Sequence, residues 1–152
     1  MPGSAAHYAG RMDSAPMGLE LAPAWFRIAL IAIEAVTAIG AIAGGIALIG
    51  WSSTMGLPDV ASTRLGVLGL TSWALGGVAL IVVVAVPMAL AVGGTIAGHP
   101  WAGAVTLVAG VALIGWIVFQ VAFIGFGSWL QSVFLIVGVI VAVGGFSLIR
   151  AT

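Results

Sequence analysis

Four long apolar stretches, at about residues 28–49, 65–92, 101–124 and 129–149, constrain this chain more than any other feature. Each is long enough, at about 1.5 Å per helical residue, to cross a bilayer core about 30 Å thick. In lipid only helices or closed barrels satisfy every backbone N–H and C=O, and continuous apolar runs lack the alternation of barrel strands. Charged residues make up 5% of the chain and hydrophobic ones 62%, too little charge to clothe a soluble domain of this size. The fold class that follows is all-α: an integral membrane four-helix bundle. Its helices are expected at about 25–51, 65–92, 101–124 and 128–150.

Short connections force neighbouring helices to run antiparallel, so the topology reads up-down-up-down. The longest loop spans 51–64, and a Gly-rich turn occupies 93–100. The tight turn Gly125-Phe126-Gly127-Ser128 offers Ser128 as a cap for the fourth helix. Residues 1–23 are small and polar and read as a flexible tail, leaving 24–152 as the bundle. A signal peptide is the competing reading of the start. The tail lacks a clustered positive charge, and no small-x-small site follows the first apolar run, which favours a retained helix.

Arg11, Arg27, Arg150 and, weakly, His99 fall on the side of the N-terminus, while Arg64 lies opposite. The positive-inside rule then places both termini in the cytoplasm. Trp25, Trp101 and Phe146 are expected at the inner interface, and Trp51, Phe126 and Trp129 at the outer one. Lysine and asparagine are absent while Ala, Gly and Val abound, the bias of a high-GC genome. The expected location is a bacterial inner membrane.

The chain has no cysteine, which removes disulfides, thiolate metal sites and cysteine nucleophiles. His7 and His99 form no ligand cluster, so no metal or other cofactor is expected. No nucleophile–base pair or phosphate loop is present, and the Gly-rich 93–98 segment lacks a lysine and a strand context. An enzyme is not expected. Zero formal net charge without a polybasic cluster leaves nucleic acid an unlikely partner and the lipid bilayer the expected one.

Glu34 is the lone acidic residue within the apolar stretches. An ionised carboxylate is costly in lipid, so the neutral acid is the expected form. Depth places Thr37, Thr106 and the backbone near Pro87 beside it. Proline cannot donate to the Val83 carbonyl, which makes that oxygen a candidate acceptor. One reading is an intramembrane proton or cation site of Glu34, Thr37 and Thr106. The blander one, which leads, is a neutral glutamic acid, or one paired with Arg27 or Arg150, that holds helices together.

A second polar layer is expected toward the other side. Ser72, Trp116, Gln120, Trp129 and Gln131, with Thr71, Trp73 and Ser132, share that level. Amides flanked by indoles suit a lipid headgroup, quinone or small polar ligand, although interhelical hydrogen bonding is the commoner use of such groups. Stripes of small residues on each helix favour close packing. The phrase Gly45-Ile-Ala-Leu-Ile-Gly-Trp51 returns as Gly110-Val-Ala-Leu-Ile-Gly-Trp116. With its tryptophans at different depths, a chance match is expected.

The pattern His99-Pro-Trp-Ala, then Gly115-Trp-Ile-Val-Phe-Gln120, then Ile124-Gly-Phe-Gly-Ser-Trp-Leu-Gln131 resembles a group of small four-helix bacterial membrane proteins of unknown function. The resemblance implies the four-helix topology and transfers no activity. Glu34 in a four-helix chain also resembles, more distantly, small multidrug resistance transporters. Three functions result. The first is an accessory or structural subunit that packs with itself, as a homo-oligomer, or with a larger membrane complex. The second is a small proton-coupled transporter centred on Glu34, and the third is a binder of lipid, quinone or small ligand at the outer layer.

Overall fold

The structure is a computed structural model that describes residues 23–54, 57, 59–62, 64–67 and 72–151. Within them lie four helices long and apolar enough to cross a membrane: α1 (Ala24–Gly50), α2 (Trp73–Ile96), α3 (Ala102–Phe123) and α4 (Trp129–Ala151). No strand occurs among the described residues. The chain is thus an all-α, four-helix, multi-pass membrane protein. The tail reading, His7 and Thr71 lie outside the described residues.

Three helices begin and end within a residue or so of the sequence expectation, and α2 does not. The apolar run from residue 65 predicts a helix there. Instead, residues 64–67 make a single helical turn, and α2 starts at Trp73 with Ser72 as its N-cap. The Ser72 hydroxyl accepts from the Ala74 N–H at 3.1 Å, satisfying one of the donors that a helix start leaves open. Apolar composition was a poor guide to the boundary; the capping residue marks it. At its other end α2 continues to Ile96 and closes with Gly98 at φ +66°. His99 N–H donates to the Gly94 carbonyl and Gly98 N–H to the Thr95 carbonyl, the paired closing bonds of a Schellman turn.

Pro87 acts on α2 from within. The segment Ile81–Ala85 is a π-helical turn, and the Val86 N–H donates back to the Ile81 carbonyl. Widening the turn just ahead of the proline accommodates a ring that clashes with an ordinary α-helical carbonyl.

Two helical hairpins result, α1–α2 and α3–α4, each held by glycine. A Cβ on Gly45 or Gly77 would collide with the facing helix's backbone or Ile81, and one on Gly110 or Gly145 would collide with the backbone of α4 or α3. Only glycine permits these approaches, and without a hydrophobic force between helices in lipid such close packing is what holds them. The hairpins meet unevenly. α3 packs closely on residues 86–96 of α2 but not on 73–80, and α1 touches α4 sparingly. They converge at the end that carries both described termini, where Leu30 rests on Gly144 and Gly94 makes room for the Trp101 ring. They part toward the end with the long loop.

Exposed aromatic residues ring both ends: Trp25, Trp101 and Phe146 at one, Trp51, Phe126 and Trp129 at the other. This fits the two interfacial belts expected of a spanning bundle.

Candidate functional site

At the termini end the interior is closed. Arg27 donates to the Thr95 carbonyl there at 2.9 Å, and toward the other end of the same hairpin Gly45 lies against Gly77. This register puts Glu34 level with Met88. Glu34, Met88, Thr106 and Val141, one from each helix, are all completely buried.

Thr106 brings its hydroxyl toward the Glu34 carboxyl, as depth predicts. Neither carboxyl oxygen nor the Thr106 hydroxyl reaches a partner at hydrogen-bonding geometry, however. Thr37, the third member of the expected site, is engaged elsewhere: its hydroxyl donates to the Ile33 carbonyl at 2.8 Å on its own helix. The arginines expected to pair with Glu34 are also committed. Arg27 serves the carbonyl of Thr95, and the Arg150 guanidinium lies 4.2 Å over the Phe146 ring. Nor does Glu34 use the Val83 carbonyl near Pro87, since both its oxygens are unpartnered. Of the partners expected for Glu34, the Thr106 hydroxyl is thus the one left facing it. Glu34 is a fully buried carboxyl with the Thr106 hydroxyl nearby, and among the described residues no positive side chain compensates an ionised form.

Sequence reasoning missed Thr95, whose buried hydroxyl is also unpartnered. It sits one residue from the end of α2, and only the register to Arg27 reveals its burial.

At the other end the divergence of the hairpins leaves open space. One cavity of about 580 Å³ lies between α2 and α3, reaching from Ser72 to Val83 on one wall and from Ala112 to Ile124 on the other. A second, of about 380 Å³, lies between α1 and α4 with α3 behind it. Trp73, Trp116 and Gln120 line both. These volumes fall in the range of about 300–1,000 Å³ that holds small ligands. Exposed residues on the rims, Leu75 and Val83 of the first and Leu130 of the second, open both sideways toward lipid.

The expected outer layer divides on inspection. Trp116 and Gln120 stand at the junction of the two cavities. Ser72 lines the first, with its hydroxyl engaged as the α2 cap. Trp129 is 73% exposed and lines neither. Gln131 borders the second cavity, but its amide is spent on the preceding turn: Oε1 accepts from the N–H groups of Gly127 and Ser128, and Nε2 donates to the Gly125 carbonyl. The Ser128 hydroxyl accepts from the Leu130 N–H at 3.2 Å. Together they form a capping box, legible in the sequence as Ser128-x-x-Gln131. Gln131 thus borders the second cavity with its amide engaged at the helix start.

Gln120 is different. Its side chain makes no hydrogen bond among the described residues. One turn earlier, the Trp116 indole N–H is buried without an acceptor, in a ring stacked 5.9 Å from that of Phe119.

The second cavity also changes the relation between the two polar regions. Its lining runs from Gln131 and Ser128 down to Thr37, three residues from Glu34 on the same helix. From Leu48 to Thr37 this is a depth on the order of 16 Å at about 1.5 Å per residue. The walls between are apolar, so the connection is a space rather than a polar pathway.

No family model, curated protein or solved structure matches the chain.

Proposed function

We propose that this membrane protein binds an apolar amphiphile drawn from the bilayer, in the space where its two hairpins part. The supporting observation is the pair of laterally open cavities meeting at Trp73, Trp116 and Gln120. Membrane helices packed for structure alone close such gaps, because contact with neighbours is what holds them together. Here glycines close the hairpins and the termini half tightly, while the long-loop half stays open. No chemistry is required of the protein in this role.

The test is extraction and mass spectrometry of the protein purified in mild detergent, beside a Gly40→Leu, Gly115→Leu variant. Both glycines border the cavities, and a Cβ at either meets nothing within 4 Å, so leucine fills space without disturbing the helices. One apolar molecule enriched in the native protein and lost from the variant is the expected result. Identical extracts contradict the proposal. A stoichiometric second polypeptide, displaced by the filling leucines, returns the split to the accessory-subunit reading.

A second reading, a proton-coupled carrier, draws on one specific observation: the unpartnered Glu34 carboxyl beneath a cavity that descends to Thr37. Ionisable groups inside membrane spans mark proton relays in pumps and transporters among their uses. Uptake into proteoliposomes driven by a pH gradient, abolished by Glu34→Gln with folding intact, is the outcome this reading requires.

A further inference from the structure

Among the described residues neither cavity is lined by an ionisable side chain; Trp, Leu, Val, Phe and Gly make most of both linings. A charged head drawn into such a space loses its hydration and gains no counter-charge. Gln120 supplies the contrasting feature. It lines both cavities, it is half-buried, and its amide makes no hydrogen bond among the described residues. A carboxamide offers two N–H donors and an acceptor oxygen. Trp116, one turn deeper on the same side of α3, has a buried indole N–H that no protein acceptor meets, and an indole only donates. Gln120 is therefore the group at the junction that offers both donors and an acceptor.

We propose that Gln120 recognises the uncharged, oxygen-bearing head of a single-tailed amphiphile, such as a glycerol ester or long-chain alcohol, with Trp116 supporting it. The tail lies in the cavity between α1 and α4, toward Thr37. This rests on the ligand-binding reading and specifies its ligand. The orientation follows from depth: Gln120 is three residues from the end of α3, near the interface where a head belongs, and the apolar lining deepens from there. Donors from the amide reach an ester or hydroxyl oxygen, and the amide oxygen accepts from a hydroxyl.

The experiment uses the full chain in nanodiscs and three probes with twelve-carbon chains, followed by tryptophan fluorescence. They are 1-monolauroylglycerol (uncharged, oxygen-bearing), dodecyltrimethylammonium (charged) and dodecylbenzene (no polar head). The glycerol ester is expected to bind about tenfold more tightly than either of the others, the scale of one or two net hydrogen bonds. Gln120→Leu is expected to remove that preference and leave the binding of dodecylbenzene unchanged. Equal binding of all three probes overturns the head recognition while leaving the cavity reading intact, as does an unaltered preference in Gln120→Leu. Tighter binding of the ammonium probe also overturns it. If none of the three binds, and Gly40→Leu with Gly115→Leu changes nothing, the cavity reading itself fails. Gln120→Met, uncharged and of nearly the same length, checks for misfolding: it is expected to keep the native melting temperature and still lose the preference.

Discussion

The termini half and the long-loop half of this bundle use the same four helices to opposite ends. In the first, helices approach until only glycine fits, and a carboxyl and two threonine hydroxyls are sealed inside without partners. In the second, the hairpins part, and polar groups at the helix ends are either spent on caps, as with Gln131 and Ser72, or left facing open space, as with Gln120. Close packing and the buried carboxyl therefore coincide in one half, and openness lies in the other, where a ligand can enter. A helix bundle evolved only to pack has reason for neither.

Substituting glycines in each half sharpens the contrast most. Gly145→Leu places a Cβ into the backbone of Leu107 and Gly103, and overpacking of this kind is expected to cost about 3 kcal/mol or more. Gly115→Leu, on the open side, is expected to change stability by less than about 0.5 kcal/mol. Melting temperatures in one detergent compare them directly, and equal losses break the distinction between the halves.

Glu34→Met comes next in size. If the carboxyl has no partner, an apolar side chain of similar length is neutral or stabilising by about 1–2 kcal/mol. A loss of similar size in thermal unfolding restores the view of Glu34 as helix glue. Arg27→Ala removes the bond to the Thr95 carbonyl at the α2 C-terminus and is expected to cost about 1 kcal/mol. Gln131→Ala unmakes the capping box at the start of α4, with an expected cost of about 0.5–1 kcal/mol. Unfolding curves check both. Gln131→Ala is also expected to leave ligand retention unchanged, and a loss of bound ligand there contradicts its assignment to the turn.

Much of this architecture was legible in the residues. Run length and the scarcity of charge announce four spanning helices, because lipid leaves the backbone no other solution. Depth counting brought Glu34 and Thr106 to one level. The start of α2 is hidden, since residues 65–72 are as apolar as a helix and the signal lies in Ser72. The repeated Gly45–Trp51 and Gly110–Trp116 phrases read as chance, yet Gly45 and Gly110 are both crossing glycines of their hairpins. Their tryptophans do differ, Trp51 at the rim and Trp116 within the split. The split itself has no sequence signature, because it depends on how two hairpins lean, and small-residue stripes permit either a closed or a parted bundle. Which oxygen meets which donor is equally hidden: Thr37 satisfied by its own helix and Glu34 satisfied by nothing look alike in one dimension.

The central claim, that lipid reaches between the hairpins, is open to a direct measurement. A variant whose only tryptophan is Trp116, reconstituted with acyl-chain-brominated lipid, is compared with a single-tryptophan reference carrying Val118→Trp, at nearly the same depth on the lipid-facing side of α3. Bromine quenches an indole only on close approach. The account predicts quenching of Trp116 comparable to that of the reference, because the cavities it lines open sideways into the bilayer. A Trp116 shielded from bromine while the reference is strongly quenched means a closed bundle, and contradicts it.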